Sequence, residues 1–154
     1  MILRLIHPGA AAKGPLQDAA LDYQGRLKRH LRIEEVWVKA SRRLETPLAL
    51  AEEAERLLGS VRERDHLVVL DRTGAALSSE ALAQRLATWM AGGHTAICFA
   101  LGSASGLDPS LTSRPGVERI SFGPLTLPHD LARVVLWEQL YRASTILRGE
   151  PYHK

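Results

Sequence analysis

His129 and Asp130 stand at the mouth of a C-terminal helical pattern that is apolar on more than one face. Arg133, Glu138 and Arg142 lie within that pattern, and Pro151, Tyr152, His153 and Lys154 follow it. A histidine titrates near neutrality and can move a proton. An arginine can steady an anion or fix a phosphate, and a tyrosine can stack on a base or hydrogen-bond it. An apolar helix fed by a loop with few side-chain donors and carrying polar tools at both ends is expected to mark a site. No two of the 6 histidines have metal-ligand spacing, and the single cysteine, Cys98, lies in an apolar run. No metal centre is therefore expected. His7, His30, His66 and His94 fall at element ends or in polar surroundings, and no chemistry is expected of them.

Two loops could hold a small molecule. Gly102-Ser103-Ala104-Ser105-Gly106 follows a buried apolar run, as nucleotide- and phosphate-cradling turns do. It lacks the third glycine of the dinucleotide fingerprint and the Lys-Ser/Thr of a P-loop, so a plain strand-to-helix turn competes with that reading. Phe122-Gly123-Pro124-Leu125-Thr126-Leu127 is tight and poor in side-chain donors. Backbone amides and carbonyls suffice to recognise an adenine ring, so such a loop can be selective while leaving a faint trace in residue types. Alone, it could equally be a strand terminator. Arg26, Lys28, Arg29, His30 and Arg32, then Lys39, Arg42 and Arg43, form a basic zone with no interleaved aromatic beyond Tyr23. A solvated face or phosphate contact is expected there, and base stacking is not.

The elements that must position these groups alternate along the chain. Residues 2–6, 33–38, 66–70, 95–101 and 117–122 read as strands, the third and fourth continuously apolar, as in a sheet covered on both faces. Between them, Pro15 opens a helix with Leu16, Ala20, Tyr23 and Leu27 inward, and Thr46 caps a second whose Pro47 sits at the first position. Asp71 to Gly74 reads as a loop. Ser78 or Ser79 caps a third helix with Leu82, Leu86 and Trp89 inward, Asp108-Pro109 starts a short one, and the apolar pattern of 131–147 is the last. This order predicts an α/β fold, a parallel sheet with helices on both faces. Ligands in such sheets sit beyond the C-terminal ends of the strands. Leu70-Asp71 and the loops 101–106 and 122–127 thus converge on one edge.

At 154 residues, with 45% hydrophobic and 24% charged content, the chain is expected to be a single domain over 1–154. No apolar run reaches the ~20 residues needed to cross a bilayer, and no signal peptide is evident. With one unpaired cysteine, that fits a reducing, cytoplasmic setting. A net charge of +3 is only a slight pointer toward a polyanion.

Leu101-Gly102-x-x-x-Gly106, Leu125-Thr126-Leu127-Pro128-His129, Glu138-Gln139-Leu140-Tyr141-Arg142-Ala143 and the terminal Pro151-Tyr152-His153-Lys154 resemble the RlmH family. These are ribosomal RNA large-subunit methyltransferases of the SPOUT class. The likeness spans the chain and is sharpest from Val68 onward; the pairing of Leu-Thr-Leu-Pro-His with a terminal Tyr-His is its most specific part. It implies a SPOUT-type C-terminal trefoil knot, a homodimer, and S-adenosyl-L-methionine bound in the knot. The cofactor contacts it implies are Leu70, Gly102, Phe122, Gly123, Pro124, Leu125, Thr126 and Leu127. The catalytic and substrate-handling residues it implies are His129, Arg142, Tyr152 and His153. The implied reaction is methylation of N3 of a pseudouridine in 23S rRNA. Two departures stand out: Ser103 and Ser105 replace a glycine and an acidic residue usual in the family, and Lys154 replaces an arginine. A positive φ at Ser103 would strain it.

A chain this short, with modest charge and no appended RNA-binding domain, is ill equipped to select one nucleotide in free RNA. The assembled ribosome is therefore the expected partner, and no membrane is. Two alternatives remain open. One is a non-catalytic RNA- or ribosome-binding domain that keeps the fold. The other is a flavodoxin-like nucleotide enzyme, whose phosphate loop would have to be the hydroxyl-free Pro8-Gly9-Ala10-Ala11-Ala12.

Overall fold

Ile2–Pro8 (β1), Arg32–Val38 (β2), His66–Ala76 (β3), Ala96–Ala100 (β4) and Glu118–Ser121 (β5) are the strands of a computed structural model that describes all 154 residues. They pair in parallel in the order β2-β1-β4-β3-β5. The helices are Pro15–Leu27 (α1), Thr46–Gly59 (α2), Ser79–Ala91 (α3), Pro109–Thr112 (α4) and His129–Arg148 (α5).

Strand side chains alternate between two cores, as a period of two requires. Leu3, Leu5, Val68, Ile97, Phe99 and Ile120 pack with α1, α3 and α5. Ile6, Leu67, Val69, Ala96, Cys98 and Ala100 pack with Ala54 and Leu57 of α2 and Leu111 of α4. The expected parallel sheet with helices on both faces is present, and β4, buried throughout, explains its uninterrupted apolar run. On the two-helix face, Arg4 reaches Glu34 (2.9 Å) and Asp65 (2.6 Å) beside Cys98. Burial, then the Asp65 charge, pushes the Cys98 thiol up to about 12, so it stays protonated and inert.

The last helix lies between α1 and α3 and fills the centre of the three-helix face with Leu136, Trp137, Leu140 and Ala143, all fully buried. Asp130 in its first turn and Arg148 in its last suit the helix dipole, and Gly149, at φ 69°, closes it in the left-handed conformation.

Several local expectations are corrected. Asp71 to Gly74 is not a loop beyond the third strand. The strand runs on to Ala76, and Leu70 and Ala75 both pair with Ile120, so residues 71–74 bulge out between them. Gly74 allows this because a side chain there would meet the Arg119 and Ile120 backbone at 2.7 Å. Glu45, not Thr46, occupies the N-cap of α2, with no side-chain cap bond. Leu16 is 40% exposed; Ala20, Gln24 and Leu27 form the buried face of α1. Ser78 is the cap of α3, its hydroxyl accepting from the Ala81 amide at 3.1 Å.

Candidate functional site

The C-terminal ends of β3, β4 and β5 open onto a cleft of about 430 Å³. That lies within the range of roughly 300–1,000 Å³ usual for small-molecule sites. Leu70, Gly102, Phe122, Gly123, Leu125, Thr126 and Leu127 line it together with His129; Pro124 does not. Nothing from the loop after β1 reaches it, which removes the geometric basis for a flavodoxin-like site. The 122–128 loop is set by a turn in which Ser121 Oγ accepts from the Gly123 amide at 3.0 Å. Leu125, on this loop, is 76% exposed.

The glycine loop is closed by the Gly106 amide donating to the Ser103 carbonyl at 2.9 Å. Its left-handed residue is Gly106 (φ 91°), and no residue other than glycine has a positive φ. Ser103 is therefore accommodated without strain, and the departure at that position gives no reason to suppose a disabled loop.

His129 joins this loop to the neighbouring strand β1, on the face that α5 covers. Its Nδ1 lies 2.7 Å from the Gly102 carbonyl oxygen, and its Nε2 lies 2.8 Å from Nδ1 of His7. His7 is fully buried and packs against Trp37, the ring centroids 3.5 Å apart and the planes tilted by 32°. Its Nε2 sits 2.9 Å from Glu35 Oε1, off the axis of a hydrogen bond. Glu35 in turn takes a bidentate pair from Arg133 (2.6 and 2.9 Å) and a bond from Gln24 (2.7 Å). Arg133 also donates to Gln17 and lies over the Trp37 ring. His7 was expected to be unremarkable; its position two residues beyond Leu5, on the same strand face, was the available signal.

Burial alone would push the Glu35 carboxyl up, but the bonds from Arg133 and Gln24, with the His7 ring edge alongside, bring it down to about 2. A folded-state value below the ordinary 4.5 stabilises the fold fully above that pH, and the stabilisation is lost as pH falls from 4.5 toward 2. Urea titrations across this window should show the loss. Glu35→Gln should be less stable at neutral pH by on the order of 3 kcal/mol and should decline less steeply on acidification.

The other predicted groups gather at the far end of α5. Glu138 accepts from Arg142 Nε (3.1 Å) and Nη2 (2.5 Å) and from the Tyr152 hydroxyl (3.0 Å). Arg142 lies over the Tyr152 ring at 4.8 Å and 3.3 Å from His153 Nδ1, while His153 Nε2 is 2.9 Å from Glu80. Burial, then Tyr23 and Glu138, push the Tyr152 phenol up, so it remains a neutral donor. Tyr141 stands between Tyr23 (6.4 Å) and Tyr152 (4.8 Å), with Arg26 over the Tyr23 ring. The basic zone of α1 therefore does have aromatic neighbours, contrary to expectation, because α5 and the chain end supply them. The structure joins Arg142, Tyr152 and His153 but not His129, which precedes Arg142 by about 20 Å of helix. No group of three or more His, Cys, Asp and Glu is placed to hold a metal ion, and no helix is long and apolar enough to cross a membrane.

The family model described as a predicted SPOUT methyltransferase matches residues 1–153. The chain is 44% identical over 155 residues to a protein named ribosomal RNA large subunit methyltransferase H from Anaeromyxobacter dehalogenans strain 2CP-C, covering all of both chains. It is 41% identical to a protein of the same name from Rhodospirillum centenum, covering all of this chain and 99% of that one. Among solved structures, it superposes on a probable methylase family protein from Haemophilus influenzae Rd KW20 with a TM-score of 0.58 and 13% identity, covering 99% of this chain and 70% of the other. A ribosomal RNA small subunit methyltransferase E from Neisseria gonorrhoeae, bound to S-adenosyl methionine, gives a TM-score of 0.51 and 13% identity over 94% of this chain and 65% of that one. At such identities the structural matches speak for the fold alone.

Proposed function

The chain belongs to the SPOUT methyltransferase family, and from that premise we propose that it methylates N3 of a pseudouridine in 23S rRNA, using S-adenosylmethionine, as a cytoplasmic homodimer acting on the assembled ribosome. The observation that carries this reading is full-length identity of 44% to a large-subunit rRNA methyltransferase. The trefoil knot of the SPOUT class belongs to the proposal. It is supported by the return of the chain after β5 to the loop after β4, where His129 meets Gly102.

The cleft fits the cofactor by the chemistry of its walls: apolar side chains from Leu70, Phe122 and Leu127 beside the peptide groups of the 122–127 loop. When bound, S-adenosylmethionine supplies a sulfonium methyl that is already activated, so the demanding half of the reaction lies with the acceptor. Its imide nitrogen holds a proton near neutral pH that has to be removed as the methyl is accepted. His129 is poorly placed for that, with both ring nitrogens already engaged. His153 is the group we assign to receive the proton: its contacts with Arg142 (3.3 Å) and Glu80 (2.9 Å) lie at the partly exposed end of the chain, where they can be exchanged for the substrate. Arg142, presently paired with Glu138, steadies the anion or a phosphate, and Tyr152 offers a ring face and a neutral hydroxyl.

In one copy this cluster is about 20 Å of helix away from the cleft side of α5. We therefore read the working site as composite, the tail of one subunit serving the cleft of the other. Mass spectrometry of rRNA nucleosides from a strain lacking this protein should show one methylated pseudouridine reduced to its unmethylated form. An unchanged nucleoside profile overturns the reading, as does methylation of naked 23S rRNA as fast as of whole ribosomes for its ribosomal part.

A further inference from the structure

We infer that His7 is a positioning residue for the donor site: it fixes the ring orientation and tautomer of His129, and through that ring the peptide of Gly102. The inference rests on the methyl-donor reading of the cleft. It starts from hydrogen-bond polarity. A carbonyl oxygen can only accept, so the 2.7 Å contact from Gly102 requires the proton of His129 to sit on Nδ1. A neutral His129 then has only a lone pair at Nε2, and the 2.8 Å contact there requires His7 Nδ1 to be the donor. The order of both protons is set by a single peptide carbonyl.

A free histidine side chain prefers the Nε2–H tautomer, so Nδ1–H on His129 has to be held by its surroundings. His7 can hold it because it is itself immobilised: fully buried, against Trp37 of β2, with Glu35 of β2 and Arg133 of α5 around its other edge. Burial pushes His7 toward the neutral form, against the pull of the Glu35 carboxylate. If the pair takes up a further proton, His7 Nε2, beside Glu35, is the remaining place for it. His129 is thereby removed from proton exchange with a substrate and given a mechanical task at the cleft wall.

The test pairs two variants with a spectroscopic readout. Calorimetry with S-adenosylhomocysteine, an unreactive stand-in for the donor, should show His7→Leu binding about tenfold more weakly than the parent, the effect of one lost buried hydrogen bond. His7→Asn, whose amide N–H can occupy the place of Nδ1, should bind within about twofold of the parent. Side-chain 15N NMR of the parent should find His129 protonated at Nδ1 with Nε2 accepting a hydrogen bond, and acidification should add the next proton to His7. Equal binding by parent and His7→Leu overturns the inference, and so does an Nε2-protonated His129 in the parent. The NMR result stands even if His7→Leu fails to fold. A parent that binds no S-adenosylhomocysteine while showing the expected tautomer would sink the methyl-donor reading and leave the histidine pair intact.

Discussion

Removing Tyr152, His153 and Lys154 should lower methyl transfer by about a thousandfold or more, while donor affinity stays within about twofold of the parent. The first figure is that of losing a positioned proton acceptor together with the groups that orient the base. The second follows from separation. The tail bonds to Glu138, Arg142 and Glu80, and none of the cleft-lining residues belongs to it. Single-turnover kinetics on ribosomes and calorimetry with S-adenosylmethionine read the two effects separately. Loss of both together would mean that the tail builds the cleft, and the division of labour proposed above would fail.

Replacing Gly102 by valine should produce the opposite phenotype. A Cβ at this position would lie within 2.5 Å of the Gly106 carbonyl carbon and closer still to its oxygen, so the two ends of the glycine loop could not both keep their places. Displacing Gly102 also withdraws the carbonyl that holds His129. Donor affinity should fall by more than about a hundredfold, and thermal stability by the ~1–3 kcal/mol typical of an overpacked site. The C-terminal cluster is untouched. Mixing Gly102→Val with the tail deletion should then restore turnover, because a mixed dimer holds one intact cleft facing one intact tail. Random reassortment of a twofold dimer predicts recovery to about a quarter of the parental number of sites. No recovery after verified subunit exchange would argue that each chain works alone.

What could be read from residue order, and what could not, divides along physical lines. The strands showed because parallel strands buried on both faces are continuously apolar, as in residues 96–100. The cleft showed because topology alone brings the loops after β3, β4 and β5 to one edge. The bulge at 71–74 did not show, since Asp-Arg-Thr-Gly is what a loop looks like until a neighbouring strand pairs on both sides of it. The His7–His129 pair joins residues 122 apart in the chain, a contact to which no local spacing is sensitive. Placing His7 next to Pro8-Gly9 made it look like the end of an element, when it is the last inward residue of β1. The tyrosine row is similar: Tyr23 comes from α1, while Tyr141 and Tyr152 come from the other end of the chain.

The position of α5 has a consequence for how the protein is made. It is synthesised after all the other elements described, yet Trp137 and Leu140 occupy the middle of the three-helix face, and His129 reaches β1, the first of those elements. A nascent chain can assemble α2 against its side of the sheet while translation continues, but it lacks the central member of the other layer until α5 has been made. A premature stop within α5 should therefore yield material for proteases rather than a shortened enzyme. The cleft, likewise, comes into being only once the start of α5 is in place.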